Sequence, residues 1–198
     1  MWKNLKATLL GLTLLAVASV SHANLIVNGG FETGSFSGWN TSGLTCSAVG
    51  STSGATACVG MDVDPGARSG SFAAYLGTAN GGGLIAQTFG TTAGQMYSVN
   101  FYLANGSYGG TTTPNDFLVQ WNGTTLTHLT NAAVQGYTAY TFSTVATGSS
   151  STLAFTHQQR PSFWVLDDVS VTATPEPATL GLLGLGLFGL VFARRKKA

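Results

Sequence analysis

Between Asn24 and Thr174 the chain has no lysine. Arg68 and Arg160 are its only fixed positive charges there, against Glu32, Asp62, Asp64, Asp116, Asp167 and Asp168. The other basic residues cluster at the two ends, so the formal net charge of +1 conceals a mildly acidic body. Such a body has no basic patch for a polyanion, which excludes nucleic acid as a partner. Charged residues make up only 8% of the chain, so solubility must rest on Thr, Ser, Asn and Gly. Catalytic signatures are missing too. His128 and His157 stand far apart in strand-like runs, and there is no Gly-x-Ser-x-Gly elbow, zinc-binding helix or phosphate loop. Glycoside hydrolysis would need two carboxylates across a cleft, and no pair involving Glu32 is singled out. The expectation is that the protein is not an enzyme. Cysteine is scarce: Cys46 and Cys58 are the two. With no Cys-x-x-Cys spacing and no nearby His, they are expected to pair as a disulfide in an oxidising compartment, contributing about 3 kcal/mol at most.

The ends are apolar. Lys3 and Lys6 precede the run Leu5 to Val20, and Ser21-His22-Ala23 places small residues where signal peptidase cuts. Residues 1–23 therefore read as a secretory signal peptide. At the other end, Ala178 to Ala193 carries no charge and is followed at once by Arg194, Arg195, Lys196 and Lys197. As a helix this run rises about 24 Å, enough for a short bilayer span, with the basic cluster held on the cytoplasmic side. Its glycines weaken a helix in water but are tolerated in lipid. Pro175-Glu176-Pro177 keeps the chain extended just outside that span, a form suited to recognition by a processing enzyme. The order of Pro-Glu-Pro, Gly/Leu-rich span and Arg/Lys terminus over residues 175–198 closely resembles the PEP-CTERM sorting signal of Gram-negative bacteria. The resemblance implies export, transient anchoring in the inner membrane with the body in the periplasm, processing by an exosortase, and residence at the cell surface or in extracellular matrix.

Nothing between the ends has a sustained helical period. Tyr97, Val99, Phe101 and Leu103 alternate with Ser98, Asn100, Tyr102 and Ala104; Phe117, Val119 and Trp121 alternate likewise. Further short runs are Ser71–Leu76, Leu84–Phe89, Tyr137–Val145, Leu153–His157 and Phe163–Val171, punctuated by Gly, Asn and Pro. Period-two alternation predicts antiparallel strands, with a hairpin turn at Asn122-Gly123. About 150 residues of short strands make one all-β domain, 24–174, of the β-sandwich type and most simply a jelly roll. Asn105–Asn115 reads as a loop, and Gly43–Gly60 as another loop or a ragged hairpin.

The opening "NLIVNGGFETGSFSGW" (Asn24–Trp39) resembles that of galactose-binding-like β-sandwiches, including carbohydrate-binding modules, and "FWVLDDVSV" resembles their last strand. The resemblance implies that first and last strands lie together. It also implies one structural calcium ion held by Glu32 and Asp167, on a strand face shared with Val165 and Val169. Asp62 and Asp64 read as a solvated turn. Sugars are met by exposed rings and amide or carboxylate acceptors. Tyr108, Trp121 and Trp164 are the candidate sugar-binding residues, with Tyr102 and Tyr140 behind them; Trp39 reads as a core plug. Two functions are open at this point: a module that binds extracellular polysaccharide, or a structural or adhesive biofilm-matrix protein without a small ligand. An outward cluster of rings would favour the first, a smooth Thr/Ser surface the second.

Overall fold

The structure, a computed structural model, describes residues 23–43, 57–60 (backbone only), 66–77, 82–106, 113–159 and 162–174. The expected signal peptide 1–23 (but for Ala23), the sorting segment 175–198, Tyr108, Asp62, Asp64 and Cys46 lie outside them, so the Cys46–Cys58 pairing does too.

Ten strands form two five-stranded antiparallel sheets and there is no helix among the described residues. They are β1 (Asn40–Ser42), β2 (Ala57–Gly60), β3 (Ala73–Leu76), β4 (Gly83–Gly90), β5 (Met96–Asn105), β6 (Asn115–Trp121), β7 (Thr124–Thr130), β8 (Gln135–Val145), β9 (Ser150–Gln159) and β10 (Trp164–Ala173). The first sheet runs β1-β4-β9-β6-β7 and the second β2-β3-β10-β5-β8. This is the jelly-roll sandwich that the alternation implied. β6 and β7 turn at Asn122-Gly123, with φ of 48° and 80°. Two successive left-handed residues are what a tight turn matching the strand twist requires, and Asn-Gly supplies them at least cost.

The core is where the inner faces meet. Phe101 on β5 lies edge-on to Phe155 on β9 at 5.3 Å, and Phe117 on β6 packs on Trp164 of β10 at 5.2 Å. Leu76, Ile85, Val99, Leu103, Val119, Leu153 and Leu166 fill the space between them, all fully buried. Each such side chain contributes about 1.5–3 kcal/mol of transfer free energy. The amino-terminal segment is stitched to β10 through Leu25 N–H to Val171 C=O (2.8 Å) and Val169 N–H to Gly29 C=O (2.9 Å), so the two ends of the sandwich do run together.

The second sheet is buried on both sides near β3 and β10. Ala73, Tyr75, Ala104, Phe163 and Val165 form a small cluster on its outer face, with Ala67 and Tyr137 packed against it. Residues 66–72 thus lie over that face and bring Arg68 to the acids of β10.

Candidate functional site

The site begins with a turn. Asn28 and Phe31 both take positive φ, 53° and 57°, and the Asn28 side chain donates to the carbonyls of Ser35 (2.9 Å) and Ser37 (3.1 Å). Asn tolerates the left-handed region because its short amide can hydrogen-bond locally. Phe31 is carried into the core, where it stacks on Trp39 at 5.6 Å. Trp39 is the expected core plug, its Nε1–H donating to Asn28 C=O. Gly29 is required: a Cβ there would collide with the Val169 carbonyl oxygen. That close approach sets Glu32 beside β10.

A β-bulge supplies the other acids. Opposite β5 the register jumps between Asp167 and Ser170, and Asp168 has φ of 51°. The extra residue re-aims the side chains beyond it. Val165 and Asp167 face outward, whereas Val169 and Val171 return to the core. The expectation that Asp167 shares a face with both Val165 and Val169 is therefore half wrong, because simple alternation does not count a bulge.

Six donors of segment 66–72 meet carboxylates. Asp167 Oδ2 accepts from Arg68 N–H (2.8 Å) and Ser69 N–H (3.2 Å), and its Oδ1 from Asp168 N–H (2.7 Å). Asp168 takes the Arg68 guanidinium and the Ser69 hydroxyl (2.6 Å). Glu32 accepts the N–H groups of Ser71 and Phe72 at 3.0–3.1 Å. Gly70, at φ +63°, lies directly under that carboxylate, where a Cβ would run into Glu32 Oε1. The Arg68 guanidinium also rests 3.4 Å from the centre of the Tyr102 ring, a cation–π contact. The Tyr137 hydroxyl donates to Gly66 C=O at 2.9 Å. Burial pushes the Asp167 carboxyl up to about 6, the Asp168 charge adds to the rise, and the three amides oppose it. Burial likewise raises the Tyr137 phenol.

Three carboxylates thus line a segment that carries a single guanidinium. That surplus of negative charge, and an all-oxygen set of hard donors, suit a divalent cation such as calcium. Asp167 Oδ2 and Glu32 Oε1 each accept two N–H groups already, whereas Asp167 Oδ1 and Glu32 Oε2 each hold one and retain a second acceptor position. Among the described residues no three acidic, histidine or cysteine side chains converge on one point, so carbonyls or water would have to complete the shell.

Two expected sugar-binding residues are placed elsewhere. Trp121 is 3% exposed, packed on Phe89 at 5.5 Å and Tyr97 at 5.9 Å. Trp164 is fully buried against Phe117. A ring with no free face cannot stack on a sugar, so both are core residues. Tyr140 stacks on Phe101 at 5.1 Å and also leans inward. Tyr102 does lie on the outer face, partly exposed. The residues that sequence reasoning did not assign to a site are Arg68, Asp168 and Tyr137. The scarcity of positive charge was the available signal for Arg68: a lone cation in an acidic body must meet acids. Below this charged rim, Ser98 and Asn100 of β5, Ser170 and Thr172 of β10, and Thr141 and Ser143 of β8 continue the outer face as a shelf of hydroxyls and one amide. The arrangement offers hydrogen bonding to a polyol along a flat strip.

Residues 173–197 match the PEP-CTERM protein-sorting motif. That motif implies an exported protein of a Gram-negative-type envelope and processing by exosortase. No curated protein sequence matches the chain. Among solved structures the sandwich is similar to the carbohydrate-binding module TmCBM61, solved in complex with beta-1,4-galactotriose, at 17% identity and a TM-score of 0.55, covering 77% of this chain and 99% of that one. It is also similar to part of the enzymatically active domain of tailspike protein 4 of bacteriophage CBA120, at 16% identity and a TM-score of 0.52, covering 76% of this chain and 21% of the tailspike chain. At these identities the likeness is one of fold: the body is a β-sandwich of the kind carbohydrate-binding modules use.

Proposed function

We infer that the protein is exported, released from a temporary membrane hold by exosortase, and binds polysaccharide through the outer face of its second sheet, without catalysing a reaction. One observation carries the reading: on a carbohydrate-module fold, the sole charged and tyrosine-bearing rim among the described residues borders a shelf of hydroxyl and amide side chains. Tyr102 and Tyr137 supply apolar surface, Arg68 and Asp168 charged hydrogen-bonding partners, and Asn100 an amide. Calcium would be held by Glu32 and Asp167, where it would neutralise carboxylates that the fold crowds together. The chain's ends serve delivery: 1–23 as a signal peptide, 175–198 as the sorting segment.

A glycan array and polysaccharide pull-down with residues 24–174, with calcium and with chelator, tests it. Binding to at least one β-linked glycan is expected, reduced at least tenfold by Tyr102→Ala with the far-UV spectrum unchanged. No binding across a broad panel would overturn it.

A second reading has its own support. No aromatic side chain is exposed among the described residues; the exposed large apolar residues are aliphatic. A Thr/Ser-coated sandwich of this kind also suits a structural or adhesive matrix protein with no small ligand, and a negative panel would leave that reading.

A further inference from the structure

The two sides of the sandwich end differently. One side closes with β1 and β2, of three and four residues. The other closes with β7 and β8, consecutive strands that are each the last in their sheet. β8 runs for 11 residues, "QGYTAYTFSTV", and among the described residues pairs only with β5. Proteins guard long edges with lysine, proline, acidic residues or a bulge, because an open row of N–H and C=O groups is a template for another strand. β8 carries no charged residue and no proline, and its one irregularity against β5, between Gln135 and Thr138, lies at its start and leaves Thr138–Val145 in regular register.

The direction of its open groups follows from the ladder. Ala146 N–H bonds to Gln95 C=O and Thr174 N–H to Met96 C=O. Odd-numbered residues of β5 therefore point their peptide groups at β8 and even-numbered ones at β10. By the alternation of an antiparallel pair, Ala139, Thr141, Ser143 and Val145 point theirs outward. A separate observation lies at the ends of the strand. Of the four exposed large apolar side chains among the described residues, three flank this edge: Val134 (55% exposed) just before β8, Val145 (47%) at its end, and Met96 (46%), the register partner of Val145.

We propose that the β8 edge is a self-association surface, occupied by β8 of a second copy of this chain in antiparallel pairing. The strand is its own best complement. A two-fold axis near Tyr140 sets Thr141 against Ala139 of the second copy and Ser143 against Tyr137. It brings the Val145 and Met96 end of each copy to the Val134 end of the other. No like charges meet, since β8 has none. The interface is isologous and closed, giving a dimer with a continuous ten-stranded sheet and no filament by this contact.

All ten strands and both core clusters lie within residues 24–174, so that fragment holds the whole sandwich and is the material for the test. Sedimentation velocity from micromolar to several hundred micromolar should show a monomer–dimer equilibrium. Thr141→Lys places a charge on the edge, and Thr141→Pro removes an N–H that points away from β5, the one strand paired with β8 among the described residues. Each should raise the dimer dissociation constant at least tenfold without altering the far-UV spectrum. Gln158→Lys, on the exposed face of the central strand β9, should leave it unchanged. In concentrated wild type, the amides of Ala139, Thr141 and Ser143 should exchange with solvent at least tenfold more slowly than in dilute wild type. A wild type that stays monomeric over that range, amides that exchange equally fast at both concentrations, or a Thr141→Lys variant that dimerises like wild type would each overturn the proposal.

Discussion

Asp167 and His157 are both fully buried polar side chains, and their surroundings are opposite. Asp167 sits at a bulge, and its two oxygens accept three amide hydrogens from segment 66–69 and from Asp168. His157 lies on the inner face of β9, level with Phe117 in the ladder, and among the described residues neither ring nitrogen has a partner. Two residues along β9, Gln159 Nε2 donates to Asn105 Oδ1 at 2.6 Å and the Asn105 amide binds the carbonyls of Ala132 and Ala133, while Gln159 Oε1, like the His157 ring, has no partner among the described residues. A buried polar group that is fully partnered organises the chain around it, whereas one without partners costs its desolvation and returns nothing. The first is how this sequence builds a site; the second is a weak point in its core.

The comparison breaks most visibly at Asp167. Asp167→Ala removes the acceptor of three amides, two of them in the segment that carries Arg68. Each orphaned buried donor costs about 1–3 kcal/mol, offset in part by relief of the buried charge and by water reaching the segment. A net loss of about 3 kcal/mol is expected in urea unfolding at pH 7, with new proteolytic cleavage between Gly66 and Phe72. A loss below about 1 kcal/mol with the segment still protected would mean that the carboxylate does not hold it.

His157 responds to acid instead. Burial lowers its imidazole from the usual 6.5 to about 4. The folded state therefore resists taking a proton that the unfolded chain accepts below 6.5. The stability this contributes is whole above pH 6.5 and falls away as pH drops toward 4, by about 2–3 kcal/mol at the lower limit. His157→Leu, close in volume and wholly apolar, should abolish that slope and raise stability at pH 7 by about 1 kcal/mol. Parallel pH–stability curves for wild type and variant between 6.5 and 4 would refute the buried, neutral state.

Sequence alone exposed the strands well and the site poorly, for one physical reason. Alternation reports that a residue lies on one of two faces; it does not report which face a neighbour will cover. For Phe117, Val119 and Trp121 alternation marks one shared face, but with apolar Leu118 on the other it does not say which is inner, and Trp121, though buried, looked available. For Trp164–Leu166 both faces are buried, because segment 66–72 lies over the outer one, and Trp164 looked available when it was not. The bulge at Asp168 left only a faint trace, the tolerance of Asp for positive φ. Asn122-Gly123 was legible because its turn is decided by two adjacent residues. The Asp167 cluster joins residues 32, 68 and 167, and no local pattern records such a meeting.

The smallest expected effect sharpens the comparison from the well-partnered side. Tyr137→Phe keeps the ring against the outer-face cluster and deletes only the hydroxyl that donates to Gly66 C=O. One neutral hydrogen bond is worth about 0.5–1.5 kcal/mol net, and Gly66 is open to water, so the loss should fall near 0.5 kcal/mol. If the charged locus is held chiefly by Asp167, segment 66–72 in this variant will remain as resistant to proteolysis as in wild type. Cleavage there comparable to that of Asp167→Ala would mean instead that the ring, and not the carboxylate, pins the segment to the sheet, and Tyr137 would take over the role assigned to the bulge.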